Sequence, residues 1–288
     1  MSFLSQFNYQ ILGKPSAKTP LVFLHGLMGY GLNWRKIALS FESDRQVLIF
    51  DQRGHGKSFK PESGYRPEDY AEDLGLIIDE LDWPQIDLVG HSMGGRNALN
   101  FAFRFPLRVR RFVMEDMGPE VAPGSLERIQ GLIGVVPVPF SDKLKAKEFF
   151  MNEYPKLMAS NPQAATLGQY FYANMAERDD GTVSWRFNIQ AIMTSLTEGR
   201  RGERWQEWEG LSVPTLVVRG EKSEDLPQAT FEEMLKRNPI CRGIVIPGAG
   251  HWVHFDEPNA FIRVLTRFLE AEDSEIFRQD FDFLGTSS

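Results

Sequence analysis

With 288 residues, 42% of them hydrophobic and 25% charged, the chain carries enough apolar material for one large domain or for a core with an insertion. The formal charge of −7, with no Lys or Arg run to offset it, argues against nucleic acid as a partner. The single cysteine, Cys241, excludes an internal disulfide and, lacking ligands around it, structural zinc; with no signal-like N-terminus and no apolar stretch of membrane length, a cytoplasmic chain is expected.

Phe7 to Leu12 alternates weakly and reads as an edge strand. Leu21-Val22-Phe23-Leu24 is continuously apolar, the pattern of a strand buried on both faces of a parallel sheet, and it runs into the turn His25-Gly26-Leu27-Met28-Gly29. Trp34, Ile37, Ala38 and Phe41 recur at helical spacing between Asn33 and Glu42, and Gln46 to Phe50 is a second buried strand. It ends in Asp51-Gln52-Arg53-Gly54-His55-Gly56-Lys57-Ser58, a tight loop in which Asp51 and Arg53 are expected to pair and His55 to be satisfied locally. Proline and acids at Pro67, Glu68 and Asp69 open an amphipathic helix whose inner face is Tyr70, Leu74, Ile77, Ile78 and Leu81. Ile86 to Val89 is the next strand, Ala98, Leu99, Ala102 and Phe103 mark the helix after it, and Arg111 to Asp116 is a further strand. Strand alternating with helix implies a parallel sheet covered on both faces, with functional residues at the carboxyl ends of its strands.

From Met117 the alternation stops. Until about Glu209 the chain shows helical periods broken by loops and no buried strand, so residues 118–209 are expected to form an inserted helical lid over a core of 1–117 and 210–288. Leu144, Phe149, Phe150, Tyr154 and Leu157 suit one lid helix; Leu167, Tyr170, Phe171 and Met175 suit another. The apolar, proline-broken run Gly131 to Phe140 reads as lid packing or a hinge, with the wall of an acyl pocket as the alternative. Pro214 to Gly220 returns to the buried-strand pattern, Pro227 to Arg237 reads as a helix, and Arg242 to Ile246 is a last strand. Pro258 to Glu270 closes the sheet as a helix, and the acidic tail from Ala271, low in pattern apart from Ile276, Phe277 and Phe281, is expected either to dock or to stay mobile.

The chemistry gathers at Gly90-His91-Ser92-Met93-Gly94, between an apolar strand and a helix. Gly-x-Ser-x-Gly in that setting is the outline of a nucleophile elbow, in which a strained turn lifts the serine hydroxyl above the sheet; the alternative is an ordinary glycine-rich turn. The backbone amides of Leu27, after the first buried strand, and Met93, after the nucleophile, are the matching oxyanion donors. A serine needs a base, and the base needs a carboxylate to fix its tautomer. His251 follows the last strand on the glycine-rich loop Pro247-Gly248-Ala249-Gly250, while His254 reads as a structural histidine.

These motifs together make the chain resemble the α/β-hydrolase fold superfamily over residues 20 to 270 or so. The usual member carries its acid after the strand that follows the lid, where this chain has Gly220-Glu221-Lys222-Ser223. That departure points to Asp116, in Asp116-Met117-Gly118-Pro119, as in the bacterial short-chain and acyl-CoA-type esterases, which the chain also resembles at Trp185-Arg186-Phe187-Asn188 and Gly248 to His254. Asp225 or Glu224 is the fallback acid, and a capping or loop-bracing role is the alternative for Asp116.

The resemblance implies a serine hydrolase cleaving a small acyl ester or thioester through Ser92, His251 and Asp116, with no metal or organic cofactor. A carbon-carbon bond hydrolase or a lyase of menaquinone synthesis on the same fold is the rival within catalysis, and a ligand receptor with vestigial turnover the rival outside it. A dehalogenase is excluded because it needs a carboxylate at the elbow. Arg96 and Arg186 are weighed as substrate-facing cations, with ion-pair roles favoured.

Overall fold

The computed structural model describes residues 2–161, 163–199, 201–276, 278 and 282–284. Seven strands form one sheet in the order β1-β3-β2-β4-β5-β8-β9: β1 Tyr9–Leu12, β2 Leu21–Leu24, β3 Val47–Phe50, β4 Ile86–His91, β5 Val109–Glu115, β8 Thr215–Gly220 and β9 Cys241–Ile246. Only β1, at the edge, runs antiparallel to its neighbour. The continuous apolar runs take the central positions because helices cover both faces there. On β2, Leu21 and Phe23 pack toward one face while Val22 and Leu24 pack toward the other.

Between the strands lie α1 Arg35–Ala38, α2 Pro67–Glu80 and α3 Met93–Arg104, and later α10 Gln228–Arg237, α11 Val253–Asp256, α12 Pro258–Glu270 and α13 Asp273–Ile276. Helices α2 and α3 bury Leu74, Ile77, Leu99 and Phe101 against one face of the sheet. Phe261, Val264, Leu265 and Phe268 of α12 close the other. The periodic residues Trp34, Ile37, Ala38 and Phe41 are all buried, but the helix expected to reach Glu42 stops at Ala38. Ser40 and Phe41 donate three residues back, to Ile37 and Ala38, which tightens the chain into turns. Of the tail, Ile276 is buried, whereas Phe277 and Phe281 lie outside the described residues.

Between β5 and β8 come α4 Ser125–Gly134, α5 Lys143–Glu148, a π turn at Phe149–Glu153, α6 Tyr154–Leu157, α7 Ala164–Ala173, α8 Ile189–Thr197 and α9 Trp205–Glu209. Phe149, Phe150 and Tyr154 are buried as expected, yet Leu144, before the π turn, and Leu157, after it, are exposed. The expectation of no strand in this segment is corrected: β6 Met175–Glu177 and β7 Val183–Trp185 form an antiparallel hairpin. Strands of three residues are too short to leave a legible alternation. The segment has its own apolar cluster, which also takes in Leu27, Met28, Tyr65, Tyr70 and Met93 from outside it. Among the described residues no helix is long and apolar enough to cross a membrane.

The turn between β4 and α3 depends on contact distance. A Cβ on Gly90 would lie 2.4 Å from the Gly94 carbonyl oxygen, and one on Gly94 would lie 2.4 Å from the Leu24 carbonyl oxygen. Both obstacles are backbone, so the helix start cannot carry a side chain there without moving off the sheet. Gly94→Ala is therefore expected to destabilise the protein by about 2–4 kcal/mol, read as a lower urea midpoint at unchanged slope.

Candidate active site

The site is assembled at the carboxyl ends of β2, β4, β5, β8 and β9. Ser92 leaves β4 with φ 53° and ψ −118°, a strained conformation held by its N–H to the Glu115 carbonyl at 3.1 Å and its own carbonyl accepting from Arg96 N–H at 3.1 Å. Asp116 leaves β5 at φ 50°, and its N–H reaches the Val218 carbonyl at 2.8 Å. Its carboxylate is buried and fully engaged. Oδ1 accepts from the Gly220 N–H at 2.9 Å, and Oδ2 accepts from the Ser223 hydroxyl and lies 2.8 Å from His251 Nδ1. Ser223, standing where an aspartate was sought, is thus a donor to the carboxylate supplied from β5.

Asp225 Oδ2 lies 3.7 Å from the same His251 nitrogen, beyond hydrogen-bond distance, and its other oxygen is taken by Arg128 at 2.9 Å. Glu224 is exposed and only 3.9 Å from Arg128. Burial alone would lower the His251 pKa, but the carboxylates of Asp225, Asp116 and Glu115 outweigh it and hold the imidazole above its usual 6.5. Burial raises Asp116, and its three donors oppose that shift.

Ser92 and His251 line a cavity of about 30 Å³ with Leu27, Met28, Ile129, Leu132, Trp252 and Arg128, room for little more than a water. Leu27 also lines a cleft with Met93, Arg96, Asn97 and Ser195. Met93 is the first residue of α3, so its N–H belongs to the helix end where backbone donors favour negative charge.

Other expectations resolve into local structure. Arg53 pairs with Asp73, at 2.6 and 2.5 Å, and not with Asp51. Asp51 instead accepts from the backbone N–H groups of Gly31 and Lys57 and from Asn8, because a buried carboxylate at a strand end can brace several loops at once. His55 Nδ1 meets the Arg53 carbonyl at 2.9 Å, and Cys241 is buried. Arg186 lies over the Tyr30 ring at 4.7 Å. Arg96 is buried and donates to the carbonyls of Pro119 and Gly202. Arg128, in α4, went unrecognised from sequence, since nothing in a charged helix marks the residue that will reach a distant loop. Glu115 and His91 were also passed over, although both adjoin residues that were singled out.

His91, Glu115 and His254 bring potential ligand atoms within 4.8 Å of one another. Glu115 is already bonded twice to His254, and His91 Nε2 to the His251 carbonyl, so the group is a hydrogen-bonded cluster as it stands.

The family model for the α/β hydrolase fold matches residues 19–258. The chain belongs to the α/β-hydrolase fold family. It is similar to the 2-(acetamidomethylene)succinate hydrolase of Mesorhizobium japonicum, 27% identical over 87% of this chain and 88% of that protein. A crystal structure of E-2-(acetamidomethylene)succinate hydrolase superposes with a TM-score of 0.78 at 25% identity, covering 92% of this chain and 100% of that one. The sn-1-specific diacylglycerol lipase ABHD11 of Mus musculus is 31% identical over 91% of this chain and 84% of its own. A putative 2-succinyl-6-hydroxy-2,4-cyclohexadiene-1-carboxylate synthase of Bacillus subtilis is 29% identical over 88% and 92%.

A base must be neutral to take a proton, so a reaction that uses His251 as its base is expected to speed up with pH through an apparent pKa above 6.5. Asp225→Asn removes one of the carboxylates that raise His251, and the acid limb of kcat/KM against pH should move to lower pH.

Proposed function

We propose that the protein is a serine hydrolase of carboxylic esters or thioesters, working through Ser92, His251 and Asp116. The observation that carries this reading is the 2.8 Å contact between His251 Nδ1 and Asp116, made beside a strained serine that shares a cavity with the same imidazole. With Nδ1–H donated to the buried carboxylate, Nε2 is left as the base. Ser92 Oγ attacks the acyl carbon as its proton passes to Nε2. The Leu27 and Met93 amides hold the oxyanion, and the proton then goes to the departing alkoxide or thiolate. Water repeats the sequence on the acyl-enzyme and restores Ser92.

The segment 118–209 acts as a lid in this proposal. The cavity beside Ser92 is small, about 30 Å³, and is walled by Arg128, Ile129 and Leu132 of α4, so in this proposal α4 shifts to let an acyl chain in. A second reading, chemistry on a carboxylate-bearing substrate, is prompted by buried Arg96 in the cleft with Leu27 and Met93, although its guanidinium already donates to the Pro119 and Gly202 carbonyls. The compounds named for two relatives, 2-(acetamidomethylene)succinate for the hydrolase and a cyclohexadiene carboxylate for the synthase, agree with it. A hydrolysis profile over p-nitrophenyl esters and acyl-CoA thioesters, set against dicarboxylate substrates, separates the two.

Ser92→Ala should lower ester turnover by about 10⁵-fold or more and abolish fluorophosphonate labelling; retained turnover would overturn the mechanism. Asp116→Asn should lower kcat by about 10³–10⁴-fold, whereas Asp225→Asn should stay within about tenfold. Ile129→Ala and Leu132→Ala should move the preferred acyl length upward in the same ester series.

A further inference from the structure

Beneath the Asp116–His251 contact lies a second carboxylate–imidazole pair. Glu115, the residue before Asp116, is fully buried. Its Oε1 accepts the backbone N–H of His254 at 2.8 Å, and both its oxygens lie 2.8–2.9 Å from His254 Nδ1. The two pairs therefore join the last residue of β5 and the residue after it to residues three apart in the turn that carries the base. His91, from the end of β4, closes the arrangement: its Nε2 meets the His251 carbonyl at 2.9 Å, and its ring lies 4.7 Å from that of His251 and 5.0 Å from that of His254. Trp34 stacks on His254 at 4.2 Å, and both members of the pair are buried.

The proton positions follow from the bonds. Burial lowers the His254 pKa to about 3, so the ring is neutral and donates Nδ1–H to Glu115. Burial likewise keeps His91 neutral, with its proton on Nε2, facing the carbonyl. The nitrogens left without partners, His91 Nδ1 and His254 Nε2, are then the ones that carry no proton. A neutral histidine does not cancel the charge of Glu115. Burial pushes this carboxyl up to about 7, with the His254 N–H opposing the shift, so the group gains its negative charge as the pH rises through neutrality. The groups facing His251 are Asp116 and Glu115 from β5, Asp225 and Arg128 above it, His91 beside it and His254 in its own turn. Asp256 adds its charge near His254.

We propose that Glu115 is a positioning residue for the base: through His254 it fixes the 251–254 turn, and its buried negative charge joins that of Asp116 in stabilising the imidazolium that His251 becomes. This rests on the acyl-transfer reading of the site, and it assigns a task to a residue that touches neither substrate nor nucleophile. A purely structural brace would change how much active protein folds and how fast it turns over. It would leave the protonation equilibrium of His251 where it was.

The test is Glu115→Gln, which removes the charge while keeping an amide oxygen for the His254 N–H. In a Ser92→Ala background, the His251 pKa read by histidine NMR should fall by about 0.5 to 1. With Ser92 present, kcat should fall about tenfold at near-constant KM, and the acid limb of kcat/KM should move to lower pH. An unchanged His251 pKa in folded Glu115→Gln protein overturns the proposal while leaving the hydrolase reading intact. Loss of that reading would show separately, as Ser92→Ala protein that still turns over ester. Should Glu115→Gln not fold, the wild-type protein labelled with ¹⁵N-histidine decides: His254 is expected to stay neutral and protonated at Nδ1 from pH 5 to 8. A His254 that charges in that window overturns the proposal.

Discussion

The backbone contact where the start of α3 meets β2 and β4 governs this molecule. Gly90 and Gly94 let a helix begin almost on top of two strands, and the residue between them has no relaxed conformation available. Ser92 accepts the strained geometry because its N–H is tied to β5 and its carbonyl to the helix. Strain of this kind persists only when the surroundings over-determine it. Here the surroundings are the central strands of a sheet covered on both faces.

The same packing gathers the charges. β4, β5 and β8 are adjacent and parallel, so their carboxyl ends lie side by side, and β9 brings its loop alongside. Asp116, at positive φ, turns out of β5 to meet the Gly220 N–H, the Ser223 hydroxyl and His251. Glu115, still in the strand, points to a different neighbour, His254. Two carboxylates on consecutive residues are thus kept apart by the change of backbone direction between them, and each has an imidazole partner. Desolvation would drive either toward its neutral form; donated hydrogen bonds oppose that.

The segment between β5 and β8 closes this site with apolar side chains from α4 and with one ion pair, Arg128 to Asp225. That pair engages the carboxylate next in distance to His251 Nδ1. Asp225 stays near enough to act on His251 through its charge but is held by a cation of its own.

The sequence by itself determined the fold. Buried-strand runs alternating with helical periods, and a Gly-x-Ser-x-Gly turn between strand and helix, leave few other arrangements for a parallel sheet. It also narrowed the candidate acids to Asp116, Asp225 or Glu224, because Ser223 interrupts the usual pattern. What it left open was distance. That Asp116 stands 2.8 Å from His251 Nδ1 while Asp225 stands at 3.7 Å depends on how three strand ends and two loops meet. The hairpin of β6 and β7 was illegible because three-residue strands carry no period, and the pairing of Arg53 with Asp73 because a loop and a helix meet only in the fold. Glu115 looked like one more strand residue. Only tertiary structure, by burying it against His254 directly beneath His251, made it part of the electrostatics of the site.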